Sequence, residues 1–161
     1  MLGFRFDETM SGWHILGSNL NLSDDGLDNF KQPMEFKVTW GPDNIFEWLN
    51  PFSGKFMKQP LFGNITIEGL GRDIPCKGDL ELAYHKGMIR YTIFFTHNGT
   101  EYIYIGKKRG IKPWNLHKTH TTCYGELTAR TVCGSFVVSQ SITYFRLKTL
   151  PSFLKSFRFV R

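Results

Sequence analysis

The chain has 161 residues with 41% hydrophobic content and a net charge of +6, which fits one globular domain and argues against a disordered chain. Aromatic residues reach 16%, with 15 Phe, a composition suited to pleated strands and large cores. Three cysteines, Cys76, Cys123 and Cys133, form no C-x-x-C pair and are odd in number, so reduced thiols and a cytoplasmic setting are expected rather than a disulfide framework.

In chain order, the first segment begins without a basic leader and apolar run, so no signal peptide is expected. Phe4 and Phe6 alternate with Arg5, the pattern of a half-buried strand. Asn19 to Asn29 reads as a surface loop. Met34, Phe36 and Val38 then alternate with Glu35 and Lys37. Pro42 to Leu49 places Ile45, Trp48 and Leu49 on one side of a short helix, and Pro51 to Lys55 reads as a loop. Ile65 and Ile67 alternate with Thr66 and Glu68, and Leu80 and Leu82 with Glu81.

Asn98-Gly99 is a favoured type I′ turn pair, because both residues tolerate positive φ. A two-residue turn sets His97 opposite Thr100, Phe95 opposite Tyr102, Ile93 opposite Tyr104 and Tyr91 opposite Gly106. One face of the hairpin then carries Tyr91, Ile93, Phe95, Tyr102 and Tyr104, and the other Thr92, Phe94, Ile103 and Ile105. Both faces are apolar, so both need cover. Buried Tyr hydroxyls need partners, which makes the Tyr face a candidate cavity lining; ordinary cross-strand aromatic packing is the alternative.

Gly106 to His120 reads as a third loop, with five basic residues. In the hairpin register Lys107 falls opposite Arg90, and an anion would relieve that like-charge pair; if the strands splay there, solvation does so instead. Trp114 beside the run could stack on a base or ring or lie at a lipid interface. Nucleic-acid binders usually interleave several exposed aromatics with the basic residues, and this run is short, so nucleic acid is not the expected partner. His117, His120, Cys123 and Glu126 recur every three residues, but the Thr-rich context favours a strand, where a spacing of three sends side chains to opposite faces. No metal site is expected. Nor is there a nucleophile elbow, a zinc-protease motif or a phosphate loop, so no cofactor and no catalytic residue is assigned.

The tail from Leu147 to Arg161 has Pro151 where a first helical turn tolerates it, and Leu150, Phe153, Leu154 and Phe157 along one face. Such a helix could cover Phe94, Ile103 and Ile105 outside a barrel, or lie on an anionic membrane. Charge is uneven: residues 1–101 hold 9 Lys/Arg and 13 Asp/Glu, whereas residues 102–161 hold 11 Lys/Arg and one acid, Glu126. A basic surface facing phosphate, phospholipid or an acidic partner follows.

Phe6 to Gly12, Cys76 to Leu82, Met88 to Phe95, Tyr102 to Lys108 and Thr121-Thr122 together resemble a small accessory β domain beside the catalytic part of cholesterol-oxidase-like glucose–methanol–choline flavoprotein oxidoreductases. The resemblance covers most of residues 4–128. It implies a non-catalytic domain with a flavoprotein as a partner, and the flavin-binding part is absent from this chain. A second likeness is to calycin barrels such as lipocalins, which have Gly-x-Trp near the first strand; here Gly12 and Trp13 are adjacent.

The expected fold is therefore mainly β: residues 1–161 as one antiparallel barrel, calycin-like, or a sandwich, with a short C-terminal helix. The leading expectation for function is non-catalytic binding of an apolar or amphipathic small molecule. Trp13, Tyr91, Ile93, Phe95, Tyr102 and Tyr104 would line the site, with Lys107 and Arg90 holding an anionic head at its mouth. The alternatives are an interaction module acting on a protein or membrane partner, and an enzyme with a dispersed active site.

Overall fold

A computed structural model describes residues 1–17, 25–112, 114–115 and 121–161. Eight strands form an antiparallel meander that closes on itself: β1 (Gly3–Leu16), β2 (Gln32–Trp40), β3 (Lys58–Ile67), β4 (Gly71–Ala83), β5 (Met88–His97), β6 (Thr100–Arg109), β7 (Thr122–Thr131) and β8 (Gly134–Phe145). β1 seals the barrel by pairing with β2 through Phe6–His14 and with β8 through Met10–Leu16. The architecture is a barrel and not a sandwich, because every one of these strands has a partner on each side. Closure of this kind removes exposed sheet edges.

The period-two pattern sets the faces. Met34, Phe36, Val38 and Trp40 of β2, Leu61, Ile65 and Ile67 of β3, and Ile89, Tyr91, Ile93 and Phe95 of β5 are buried in one core. The hairpin has the expected register, from His97 opposite Thr100 to Arg90 opposite Lys107. Its turn residues Asn98 and Gly99 have φ of 48° and 76°. β6 continues to Arg109, so the segment expected to loop from Gly106 instead stays in the sheet for four residues. Its pairing with β5 on one side and β7 on the other holds it there.

An eight-stranded barrel is just wide enough for side chains to fill, and the middle of this one is filled. Gly106 of β6 and Gly125 of β7 are opposite one another. A Cβ on Gly125 would lie 2.2–2.4 Å from the Tyr104 ring and hydroxyl, so the missing side chain is the space the ring occupies. Tyr104 is fully buried with its hydroxyl 3.4 Å from Ser141 Oγ.

Helix α1 (Ile45–Leu49) follows β2, with the Asn44 side chain accepting from the Phe46 N–H as its cap. The tail forms α2 (Leu150–Lys155), with Pro151 in its first turn, and then β9 (Arg158–Val160). α2 is shorter than the helical spacing predicts. Beyond it the chain extends to pair with Gly3–Arg5, the part of β1 that projects past β8, and Arg158 binds both carboxylate oxygens of Asp7. The tail does not cover Phe94, which stays 40% exposed. Instead Phe153 stacks on Phe6, with centroids 4.8 Å apart, and meets Phe145 edge-on at 5.4 Å. It lies across one end of the barrel.

Near the other end, His14 of β1 is buried, with Nε2 2.8 Å from the Glu68 carbonyl oxygen, to which it donates. Burial lowers its pKa from the ordinary 6.5. The folded protein therefore keeps this ring neutral where the unfolded chain binds a proton. Stability should fall as pH drops from about 6.5 towards about 4.5, before carboxylates dominate. Urea midpoints across that range should show the slope, and His14→Gln should flatten it.

Candidate functional site

At the end covered by α2, odd-numbered strands begin and even-numbered strands finish. Period two brings Phe6 and Glu8 of β1, Trp40 of β2, Leu80 and Leu82 of β4, Ile89 and Tyr91 of β5, and Lys108 of β6 round one cavity of about 490 Å³. Phe145, Leu147, Leu150 and Phe153 supply the C-terminal side. The volume lies within the range of small-molecule pockets, and the walls are mostly apolar, as in such pockets.

The cavity contains a buried ion pair. Lys108 Nζ donates to Glu8 Oε1 at 3.3 Å, with the two side chains only 4% and 6% exposed. Glu8 Oε2 accepts from Trp40 Nε1 at 2.8 Å, and the Tyr91 hydroxyl lies 3.1 Å from both carboxylate oxygens. Lys108 Nζ sits 5.2 Å from the Tyr91 ring centroid. The carboxylate thus takes three donors from three strands. Among the described residues, the ammonium has Glu8 as its one hydrogen-bond acceptor and two further hydrogens to offer. Removing two charges from water is expensive, and a pair of this kind survives through its geometry and added hydrogen bonds.

The neighbouring acids are silenced. Burial, then the Glu8 charge, raises the Tyr91 phenol well above 10, and the same two causes raise Tyr84. Burial pushes the Cys123 thiol up to about 11, so it offers no thiolate at neutral pH. Cys76, which borders a separate groove with Phe94 and Phe95, is raised by burial in the same way.

Of the residues expected to line the site, only Tyr91 does so among those described. Ile93 and Tyr104 are packed solid in the middle of the barrel. Phe95 and Tyr102 stack on each other, 5.1 Å apart, and border a separate groove with Phe94 and Ile103. Trp13 has the outward parity of β1 and lies half-buried beneath Lys31, 4.4 Å from its ammonium. Arg90 and Lys107 remain paired but face outward; Arg90 has Glu81 as its neighbour on β4, and its Nε donates to Thr92 Oγ1 at 3.4 Å. They do not stand at the cavity.

The residues missed were Glu8, Trp40 and Lys108. For Lys108 the signal was present, since a register placing Tyr91 opposite Gly106 also turns Lys108 to the Tyr91 face. His117 and His120 lie outside the described residues. Cys123 is buried and Glu126 exposed, on opposite faces of β7. Among the described residues no group of three His, Cys, Asp or Glu could hold a metal, and no helix is long and apolar enough to cross a membrane.

No family model, curated protein or solved structure matches this chain. The resemblance to the flavoprotein accessory region therefore rests on its motifs alone. Those segments include Glu8, Leu80, Leu82, Ile89, Tyr91 and Lys108.

Proposed function

We propose that the protein binds an apolar or amphipathic small molecule in the cavity at the α2-covered end of the barrel, without turnover. The observation that carries this reading is the pairing of an apolar wall with a buried, hydrogen-bonded polar cluster, Glu8, Lys108, Tyr91 and Trp40. Pockets with a few placed polar groups in an apolar lining orient one end of a ligand and bury the rest. A non-catalytic role also agrees with the resemblance to an accessory domain.

The uncharged probe N-phenyl-1-naphthylamine tests the reading. It should bind at about one molecule per chain, in the cavity walled by Leu80, Leu82, Ile89 and Tyr91. Leu82→Trp should fill the cavity and abolish the fluorescence gain while the unfolding midpoint stays close to that of the parent. Probe binding unchanged by Leu82→Trp would move the site elsewhere.

A second reading, contact with an anionic membrane, is favoured by the rim. Leu147, Leu154 and Phe159 are 61%, 59% and 64% exposed beside exposed Arg146, Lys148, Lys155 and Arg161, and no acid follows Glu126. Basic residues near such a surface contribute about 1 kcal/mol each. Sedimentation with phosphatidylserine vesicles but not with phosphatidylcholine vesicles is expected. Leu154→Glu should abolish it.

A further inference from the structure

The charge count of the cavity specifies the ligand's polar end. We infer that the site takes an apolar molecule ending in an uncharged hydroxyl, and discriminates against a carboxylate or an amine of the same length. This deepens the proposed cavity reading and rests on it.

Glu8 and Lys108 already neutralise each other at 3.3 Å, and both are buried. Any charged head placed beside them makes a third charge with no partner. In a site of low dielectric an unpaired charge is strongly disfavoured. A carboxylate drawn to Lys108 would also be repelled by Glu8, whose carboxylate lies 3.3 Å from that ammonium. An ammonium meets the reverse pair of forces.

A hydroxyl meets neither penalty. Its oxygen can accept one of the two ammonium hydrogens that Glu8 does not take. Its own hydrogen can go to the carboxylate, where Trp40, Tyr91 and Lys108 supply three donors and about four lone-pair sites exist. One donor and one acceptor on a single atom match one acceptor and one donor on the protein. Tyr91 and Tyr84, held neutral, add no charge to this balance. The rest of the molecule would lie against Leu80, Leu82, Ile89, Phe145 and Phe153.

Displacement of N-phenyl-1-naphthylamine by 1-decanol, decanoate and decylamine at neutral pH tests this. Decanol should compete about tenfold more tightly than either charged analogue, and more tightly than decane. Glu8→Gln leaves Lys108 as a net positive charge, so its order should reverse, with decanoate above decanol. That reversal separates head-group recognition from the greater hydrophobicity of an alcohol. If Glu8→Gln does not fold, the wild-type comparison still decides: decanoate or decylamine equal to or tighter than decanol overturns the inference while leaving the cavity reading intact. If the probe binds but no ten-carbon compound displaces it, the hydroxyl assignment falls alone. If the probe itself does not bind, the proposed function falls and takes the inference with it.

Discussion

Replacing Lys108 by Met should cost about 3–5 kcal/mol of folding stability, the usual cost of leaving one member of a buried ion pair without its partner. Met matches the length and apolar stem of Lys, so the loss reports the charge and not the packing. Glu8 would keep Trp40 and Tyr91 as donors but lose its counter-charge. The double variant Glu8→Gln with Lys108→Met should recover about 2 kcal/mol or more, because Gln keeps an acceptor for the indole and the phenol while no bare charge remains. Urea unfolding of the four proteins closes the cycle. A Lys108→Met protein as stable as the parent would contradict the buried pair.

Gly125→Ala is expected to be nearly as damaging, at about 3 kcal/mol, because overpacking a filled core forces strain. The added Cβ would sit 2.2 Å from the Tyr104 hydroxyl oxygen, and Tyr104 has no exposed surface through which to retreat. Tyr104→Leu in the same chain should restore part of the loss, whereas Tyr104→Leu alone should destabilise by opening a void. Thermal melts of the three variants distinguish this from a general intolerance of Ala at position 125. The result bears on function, because Tyr104 is part of the packing that limits the cavity to one end.

Much of the barrel was legible in the chain. Alternation marked strands in β1, β2, β3 and β4, and Asn98-Gly99 fixed the β5–β6 register to the residue, since a two-residue turn leaves no slack. The site was legible only in part. Lys107, Lys108 and Arg109 look alike in sequence, and the Lys107–Arg90 opposition drew notice to the outward pair although parity pointed Lys108 inward. Glu8 stands 100 positions from Lys108, and only barrel closure through β1 brings them together. No periodicity encodes a contact of that separation. Trp40 ends its strand with the right parity, but its indole finds Glu8 from the neighbouring strand. The tail shows the same division. Its helical spacing and Pro151 were readable. That it would lie over the mouth, and not over Phe94 and Ile103, depends on Phe6, Phe145 and the projecting start of β1.

Methyl-labelled NMR titration with N-phenyl-1-naphthylamine tests the central claim most directly, because it locates the occupant as well as detecting it. The methyl signals of Leu80, Leu82, Ile89 and Leu150, which line the cavity, should shift and saturate together. Those of Ile65, Ile93 and Leu127, buried in the filled middle and absent from that lining, should stay within a small fraction of that change. Shifts confined to Ile103 and other residues of the outer face, with Leu82 and Ile89 unmoved, would contradict a binding cavity at the α2-covered end of the barrel.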